Sequence, residues 1–226
     1  MSLILIIKNK NMKHKFGIFS ITLNRLYYTS HCFKRLKNFA GESFEHIVVD
    51  NGSQDGTPEL LQEEGFNIIR NNKNRGITIA SIQGYRWLLD KKIDIIIKMD
   101  SDCELLTPDT LIALDKFFEE AGENYIISPV VKGIDTKPSI ISKDKVGSFQ
   151  FNKTNHIGGI FRAMKINAFT DTVNNCKLLN DAVLNAYFRE KNKEIGYLPA
   201  VEVNHFETTK GQEKRYPEYF NKKYIY

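Results

Sequence analysis

A chain of 226 residues, 42% hydrophobic and 26% charged, can bury a core of its own and has the composition of an ordinary globular protein. Its formal net charge of +5 is too small to mark a nucleic-acid binder, though it suits an anionic substrate or a loose membrane-surface contact. Three scattered cysteines, Cys32, Cys103 and Cys176, lack metal-ligand spacing and fit a reducing compartment better than a disulfide framework.

The opening run Ser2-Leu3-Ile4-Leu5-Ile6-Ile7 is too short to span a bilayer and lacks the basic start and cleavage site of a signal peptide. Residues 1–15 therefore read as a leader or an edge strand, and the protein as cytoplasmic or peripheral at a membrane face. Phe16 to Leu23 is predicted as a strand, Tyr28 to Phe39 as a helix and Glu45 to Asp50 as a second strand. Thr57-Pro58-Glu59 opens a helix with a threonine N-cap and a first-turn proline. A short strand follows at Asn67 to Arg70, then a helix over Ile77 to Leu89 and a strand over Ile93 to Met99. Thr107-Pro108-Asp109 repeats the helix opening, that helix fades near Gly122, and Tyr125 to Val131 returns as a strand. Alternating strands and helices imply an α/β fold, a mostly parallel central sheet with helices on both faces.

After Val131 the pattern loosens. Gly133 to Thr154 suits a hairpin or a loop, Asp181 to Lys191 a helix, and Ile195 to Leu198 and Val201 to Phe206 two short strands. The tail from Lys210 to Tyr226 interleaves Lys214, Arg215, Lys222 and Lys223 with Tyr216, Tyr219, Phe220 and Tyr224. It reads either as a terminal helix with a solvated basic face or as a contact for an anionic membrane. Residues 16–226 are expected to form a single domain.

Three segments carry chemistry. The apolar run from Ile95 ends in Asp100-Ser101-Asp102, a DxD motif at the carboxyl end of an interior strand. Side chains two apart on an extended chain point the same way, so both carboxylates are expected to converge where open α/β sheets bind ligands. Such a pair suits Mn2+ or Mg2+ holding a diphosphate; a solvated turn is the alternative. The segment Asp50-Asn51-Gly52-Ser53-Gln54-Asp55-Gly56-Thr57 is either a ligand-contacting strand tip or a turn built for conformation alone. Asn74-Arg75-Gly76 opens a helix whose N-terminus suits a phosphate, or one that simply packs closely through Ala80 and Gly84.

Together with Gly158-Gly159, these motifs occur in the order seen in family 2 glycosyltransferases, which the chain resembles from about Phe16 to Phe206. The resemblance implies the GT-A fold of nucleotide-diphospho-sugar transferases. Residues 16–131 would form the nucleotide-sugar half, and 132–226 the acceptor half. It implies nucleotide-sugar contacts at Thr22, Asn24, Asp50, Ser53, Arg75, Gly76, Asp100, Ser101, Gly158, Gly159 and Arg162, with Arg162 facing the diphosphate or the solvent. Metal ligation falls to Asp100, Asp102 and His205. Asp181 matches the family's catalytic base, unless it caps its helix instead, and Asn180 replaces the acid usual before it. The implied partners are a nucleotide-diphospho-sugar donor, by default UDP-linked, and a glycan or lipid-linked acceptor. Inversion at the anomeric carbon is the default, retention the variant. A non-catalytic nucleotide-sugar binding module is the rival, prompted by Asn180. The stretch Ser20 to Arg25 lacks the glycine-rich loop of a sugar nucleotidyltransferase, and no G-x-G-x-x-G follows the first strand as a dinucleotide fold would require.

Overall fold

The structure, a computed structural model, describes residues 12–134 and 137–205 together with Gly211, Lys214 and Pro217. Most of the expected leader and of the basic aromatic tail lies outside the described residues. Among the described residues, no helix is long and apolar enough to cross a membrane.

Runs rich in Ile, Val and Phe become strands buried on both faces. These are β1 (Phe16–Thr22), β2 (Glu45–Asp50) and β4 (Ile95–Met99), with the shorter β3 (Asn67–Arg70) outside β2. They pair in parallel, with Thr22 level with Asp50 across β1 and β2, and Ile97 level with Ile18 across β1 and β4. The crossovers are α1 (Leu26–Phe39), α2 (Thr57–Glu63) and α3 (Gly76–Leu89). Apolar residues at helical spacing turn one stripe of each long helix inward. In α1 these are Tyr28, Cys32, Phe33 and Leu36; in α3 they are Ala80, Gly84, Tyr85 and Leu88.

The second half is mixed. It comprises β5 (Cys103–Leu105), α4 (Thr110–Ala121), β6 (Tyr125–Lys132), the hairpin β7 (Ser142–Val146) and β8 (Phe149–Lys153), then β9 (Phe161–Lys165). The chain continues through α5 (Ile166–Asn175), α6 (Asp181–Glu190) and β10 (Glu194–His205). The sheet runs β3-β2-β1-β4-β9-β6-β10-β8-β7, with β5 paired to β10. Strand β9 is antiparallel to both β4 and β6. Helices α1, α2 and α4 cover one face through Phe33, Leu61 and Leu114. Helices α3, α5 and α6 cover the other through Leu88, Phe169 and Phe188.

Local details differ from the sequence expectations. Thr57 is not the N-cap of α2: Gly56, at φ 85°, stands there, and Asp55 Oδ1 accepts hydrogen bonds from the Thr57 N–H and hydroxyl. Helix α4 begins at Thr110 and not at Thr107, whose carbonyl instead accepts from the Thr110 hydroxyl at 2.6 Å. The two short strands expected near the end are one, β10, whose pairing with β6 shifts between Leu198 and Glu202. Pro199 lies within that irregularity, where a residue without an N–H is tolerated.

His46 on β2 is enclosed by the rings of Phe33 and Phe66, with centroids at 4.8 and 5.7 Å, while Nε2 meets Ser20 Oγ at 3.2 Å. Burial, with the Lys37 charge adding to it, pulls its pKa down from 6.5 to about 3. The unfolded chain takes up that proton near pH 6.5, the folded chain only near 3. The stability His46 confers as a neutral ring is therefore complete above pH 6.5 and lost as pH falls toward 3. The expected slope is up to about 1.4 kcal/mol per pH unit. Urea unfolding of wild type and His46→Gln between about pH 7 and about pH 5 checks this. Parallel stability curves for the two proteins would refute it.

Candidate active site

The carboxyl ends of β1, β2, β4 and β10, the segment before and into β9, and the starts of α3 and α6 carry the singled-out side chains. Strand β4 ends at Met99, and the chain turns at once, with the Asp100 carbonyl accepting from the Cys103 N–H at 3.1 Å. The extended geometry expected through Asp102 is therefore absent, and the two aspartates take different partners while their charges still act on one another. Asp100 meets Lys98 Nζ, which also donates to the Gly159 carbonyl. Asp102, with a side chain only 2% exposed, meets Arg25 Nη1 at 2.5 Å and His205 Nε2 at 3.2 Å. Its neighbour Ser101 is buried.

The fields follow from this placement. Burial holds Asp100 above the usual carboxylate range, opposed by Lys98 and reinforced by the charge of Asp102. Burial pulls His205 down, but the hydrogen bond and charge of Asp102, with the charge of Asp100, outweigh it and leave the imidazole raised. Among the described residues, no group of three or more His, Cys, Asp or Glu side chains stands ready to hold a metal. Asp102 and His205 do meet, and a carboxylate oxygen beside an imidazole nitrogen fits Mn2+ chemically. Asp100, held on Lys98, acts on both of them through its charge.

The nucleotide-side residues lock two loops together. Ser53 Oγ accepts from the Asn24 N–H and Asn24 Oδ1 from the Gln54 N–H, both at 2.8 Å. Asp50 is fully buried, and its carboxylate accepts from the N–H groups of Ser53 and Gly52. Burial pushes its pKa up, against those hydrogen bonds. Asp50 thus organises its own turn and does not face outward, as the base-contact expectation required. Thr22 is likewise turned inward, its hydroxyl 2.9 Å from that of Thr29. Arg75 and Gly76 are exposed at the start of α3.

Residues outside the expected set do much of the fixing. Asn51 Oδ1 accepts from the Arg75 N–H at 3.0 Å and from Asn71 Nδ2 at 3.1 Å, while Asn51 Nδ2 donates to Asn74 Oδ1 at 2.7 Å. This cluster fastens the β2 tip to the start of α3. The sign of it in the sequence is three asparagines within four residues, Asn71, Asn72 and Asn74. Gly52, at φ 100°, has the Lys73 backbone 2.8 Å from where a Cβ would stand, so no other residue fits. Lys98, the lone charge in an apolar run, was the other available sign.

On the acceptor side, Asn180 is the N-cap of α6, its Oδ1 accepting from the Val183 N–H at 3.0 Å. Asp181 is thereby free of the capping role, and its carboxylate is 41% exposed. Arg162 does not face the solvent: it is 2% exposed and donates to Asp181 Oδ1 at 3.2 Å and to the Ile157 carbonyl at 3.0 Å. Gly159 lies directly under Asp181, with a built Cβ 2.7 Å from Oδ1, whereas Gly158 is open. Phe19, Ile77, Ser81, Lys98, Arg162 and Asp181 line a cleft enclosing about 10 Å³, room for one water. A larger groove of about 540 Å³ beside α1 and α2 touches none of Asp100, Asp102 or Asp181. Removing the cap in Asn180→Ala is expected to cost about 1 kcal/mol of stability. Asn180→Ser should retain most of it; equal urea midpoints for Asn180→Ala and wild type would refute the cap.

The family model for glycosyl transferase family 2 matches residues 18–189. A 128-residue stretch is 31% identical to an uncharacterised protein of Methanocaldococcus jannaschii, covering 56% of this chain and 52% of that protein. The chain therefore spans about half the length of that relative. Among solved structures, the fold matches a mannosyltransferase of Pyrobaculum calidifontis in complex with GDP-Man and Mn2+. The TM-score is 0.65 at 14% identity, over 84% of this chain and 56% of that one. It also matches GalNAc-T7 with UDP, GalNAc and Mn2+, at TM-score 0.64 and 11% identity over 85% of this chain and 43% of that one. At such identities the likeness speaks for the fold, which is GT-A. The matched span takes in the β2 tip, the Asp100–Asp102 turn and the start of α6, and the chain belongs to glycosyl transferase family 2.

Proposed function

We propose that this chain is a metal-dependent transferase that moves a sugar from a nucleoside-diphosphate donor to an acceptor hydroxyl, with inversion. The observation that carries this is the pairing of two sites at one end of the sheet. Asp102 and His205 form one, with Nε2 3.2 Å from Oδ2, and the half-exposed Asp181 forms the other. Asp102 and His205 would hold Mn2+ or Mg2+, joined by Asp100. The bound ion supplies positive charge to the departing diphosphate.

Asp181 accepts the proton of the acceptor hydroxyl as its oxygen bonds to the anomeric carbon. The bond from that carbon to the diphosphate oxygen breaks on the opposite face, and the nucleoside diphosphate leaves. The exposed Arg75 at the start of α3 offers its charge to the donor's phosphates. Residues 16–131 hold the donor and residues 132–226 the acceptor, a glycan or a lipid-linked sugar, at the cytoplasmic side of the cell.

The nucleotides bound by the structural relatives, UDP in one and GDP-Man in the other, make uridine and guanosine the bases to test first. A thermal-shift panel of UDP- and GDP-sugars, with and without MnCl2, checks the reading. Stabilisation is expected only where donor and ion are both present, and release of nucleoside diphosphate should follow. No shift with any donor would overturn it. Asn180, standing where the family carries an acid, favours a second reading, a binding module without turnover. Such a module would give the shift and no released diphosphate. NMR of the product anomer separates inversion from retention.

A further inference from the structure

Lys98 and Arg162 stand directly opposite one another in the antiparallel pairing of β4 with β9. Both are close to buried, at 9% and 2% exposure. Like charges facing each other across a sheet repel, and each also gives up its hydration. Packing alone does not call for this, since methionine or leucine fills such space without either cost. Burial accordingly pulls Arg162 below its ordinary range, against the opposing charge of Asp181.

Each cation is offset by a carboxylate from a different part of the cleft. Lys98 donates to Asp100 and to the Gly159 carbonyl. Arg162 donates to Asp181 Oδ1 at 3.2 Å and to the Ile157 carbonyl at 3.0 Å, while its Nε is buried without a partner. The acids reach solvent where the cations do not: the side chains of Asp100 and Asp181 are 32% and 41% exposed, those of Lys98 and Arg162 10% and 3%. Gly159 keeps the assembly tight, since a Cβ there would stand 2.7 Å from Asp181 Oδ1 and 3.1 Å from Lys98 Nζ. Two adjacent strands thus carry two fixed cations, and each seats one acid at the rim.

We propose that Lys98 and Arg162 are positioning residues, whose cross-strand register sets the separation of Asp100 from Asp181 and leaves Asp181 Oδ2 turned to the acceptor. This rests on the transfer reaction proposed above. The guanidinium takes Oδ1, so the carboxylate has one orientation when the hydroxyl arrives. A base misplaced by about 1 Å typically loses about 10²-fold in rate. The Arg162 half of the device acts on the chemical step through Asp181, and the Lys98 half acts on Asp100 at the metal side.

The test compares Arg162→Met, Arg162→Lys and Gly159→Ala with wild type. Turnover is read on the nucleotide sugar that wild type consumes in MnCl2, and affinity on UDP with MnCl2 by calorimetry. Crystal structures of the variants report where Asp181 lies. Arg162→Met should lose about 10²-fold in kcat with unchanged UDP affinity, and its Asp181 carboxylate should leave the wild-type position. Arg162→Lys should recover part of the rate, which a purely structural role would not predict. Should Arg162→Met fail to fold, Gly159→Ala carries the test, because its methyl group displaces the same carboxylate. Wild-type turnover in the folded variant, or Asp181 unmoved in its crystal, overturns the proposal. Asp181→Asn distinguishes the two readings. If it is inactive while Arg162→Met is fully active, only the positioning role fails. If it keeps the wild-type rate, the assignment of Asp181 as base fails with it.

Discussion

Asp102→Ala is expected to remove manganese-dependent donor binding, weakening UDP by about 10³-fold, or about 4 kcal/mol. The size follows from where Asp102 sits. Its side chain is 2% exposed, between Arg25 Nη1 at 2.5 Å and His205 Nε2 at 3.2 Å. Alanine removes an anionic oxygen ligand and the carboxylate that meets both Arg25 and His205, so the spot becomes less favourable to a dication. Asp102→Asn preserves the shape and a hydrogen bond to Arg25 but not the charge, so it should resemble alanine in metal binding. The side chains of Arg25 and His205 are each 17% exposed and can recover hydration, so the fold should survive. Calorimetry with UDP, with and without MnCl2, measures the effect, and melting without metal confirms folding. An Asp102→Ala protein that binds UDP and MnCl2 as tightly as wild type would remove the metal from the scheme.

That expectation was half legible in the chain itself. An apolar run ending in Asp100-Ser101-Asp102 marks a strand end at a ligand-binding edge, because buried parallel strands need continuous apolar residues and ligands collect at their carboxyl ends. The parallel strands β1 to β4 and their helices follow from the same physics. The separate partners of Asp100 and Asp102 do not, because the chain turns there, closed by the Cys103 N–H on the Asp100 carbonyl. Strand β9 was hidden for a related reason. Phe161-Arg162-Ala163-Met164-Lys165 carries two cations in five residues, and one of them is acceptable in a buried strand only because Asp181, 19 residues away, comes to meet it. Helix α5 mixes polar and apolar residues, and its inward face is small, with Ala168, Phe169 and Thr172 buried. The capping role of Asn180 was local enough to be read, since asparagine precedes an apolar-periodic run there. The substitution of the usual acid drew attention to catalysis instead. What short-range pattern cannot convey is which buried charge answers which, and in this cleft those pairings set every carboxylate.

Asp181→Asn is expected to lower transfer about 10²- to 10⁴-fold while leaving UDP and manganese binding intact. Three features make this sharper than for an ordinary first-turn aspartate. The cap of α6 belongs to Asn180, so the exchange costs the helix little. The amide keeps an oxygen for Arg162, whose contact at 3.2 Å is to Oδ1, so the guanidinium is not stranded by the change. Both carboxylate oxygens lie within 3.0 Å of the Cβ position of Gly159, at 2.7 and 3.0 Å, and the near-isosteric amide respects this clearance while keeping the side chain's shape. The variant therefore changes the capacity to accept a proton and very little else. Loss of turnover with retained binding separates a transferase from a nucleotide-sugar binding module, because in a module this exchange would alter nothing measurable. Single-turnover release of nucleoside diphosphate, compared with calorimetric affinity for UDP and MnCl2, gives the decisive pair of numbers. Unchanged release would mean that another group takes the proton, and within this cleft the nearby side chains with nitrogen donors, Lys98 and Arg162, are already committed to carboxylates.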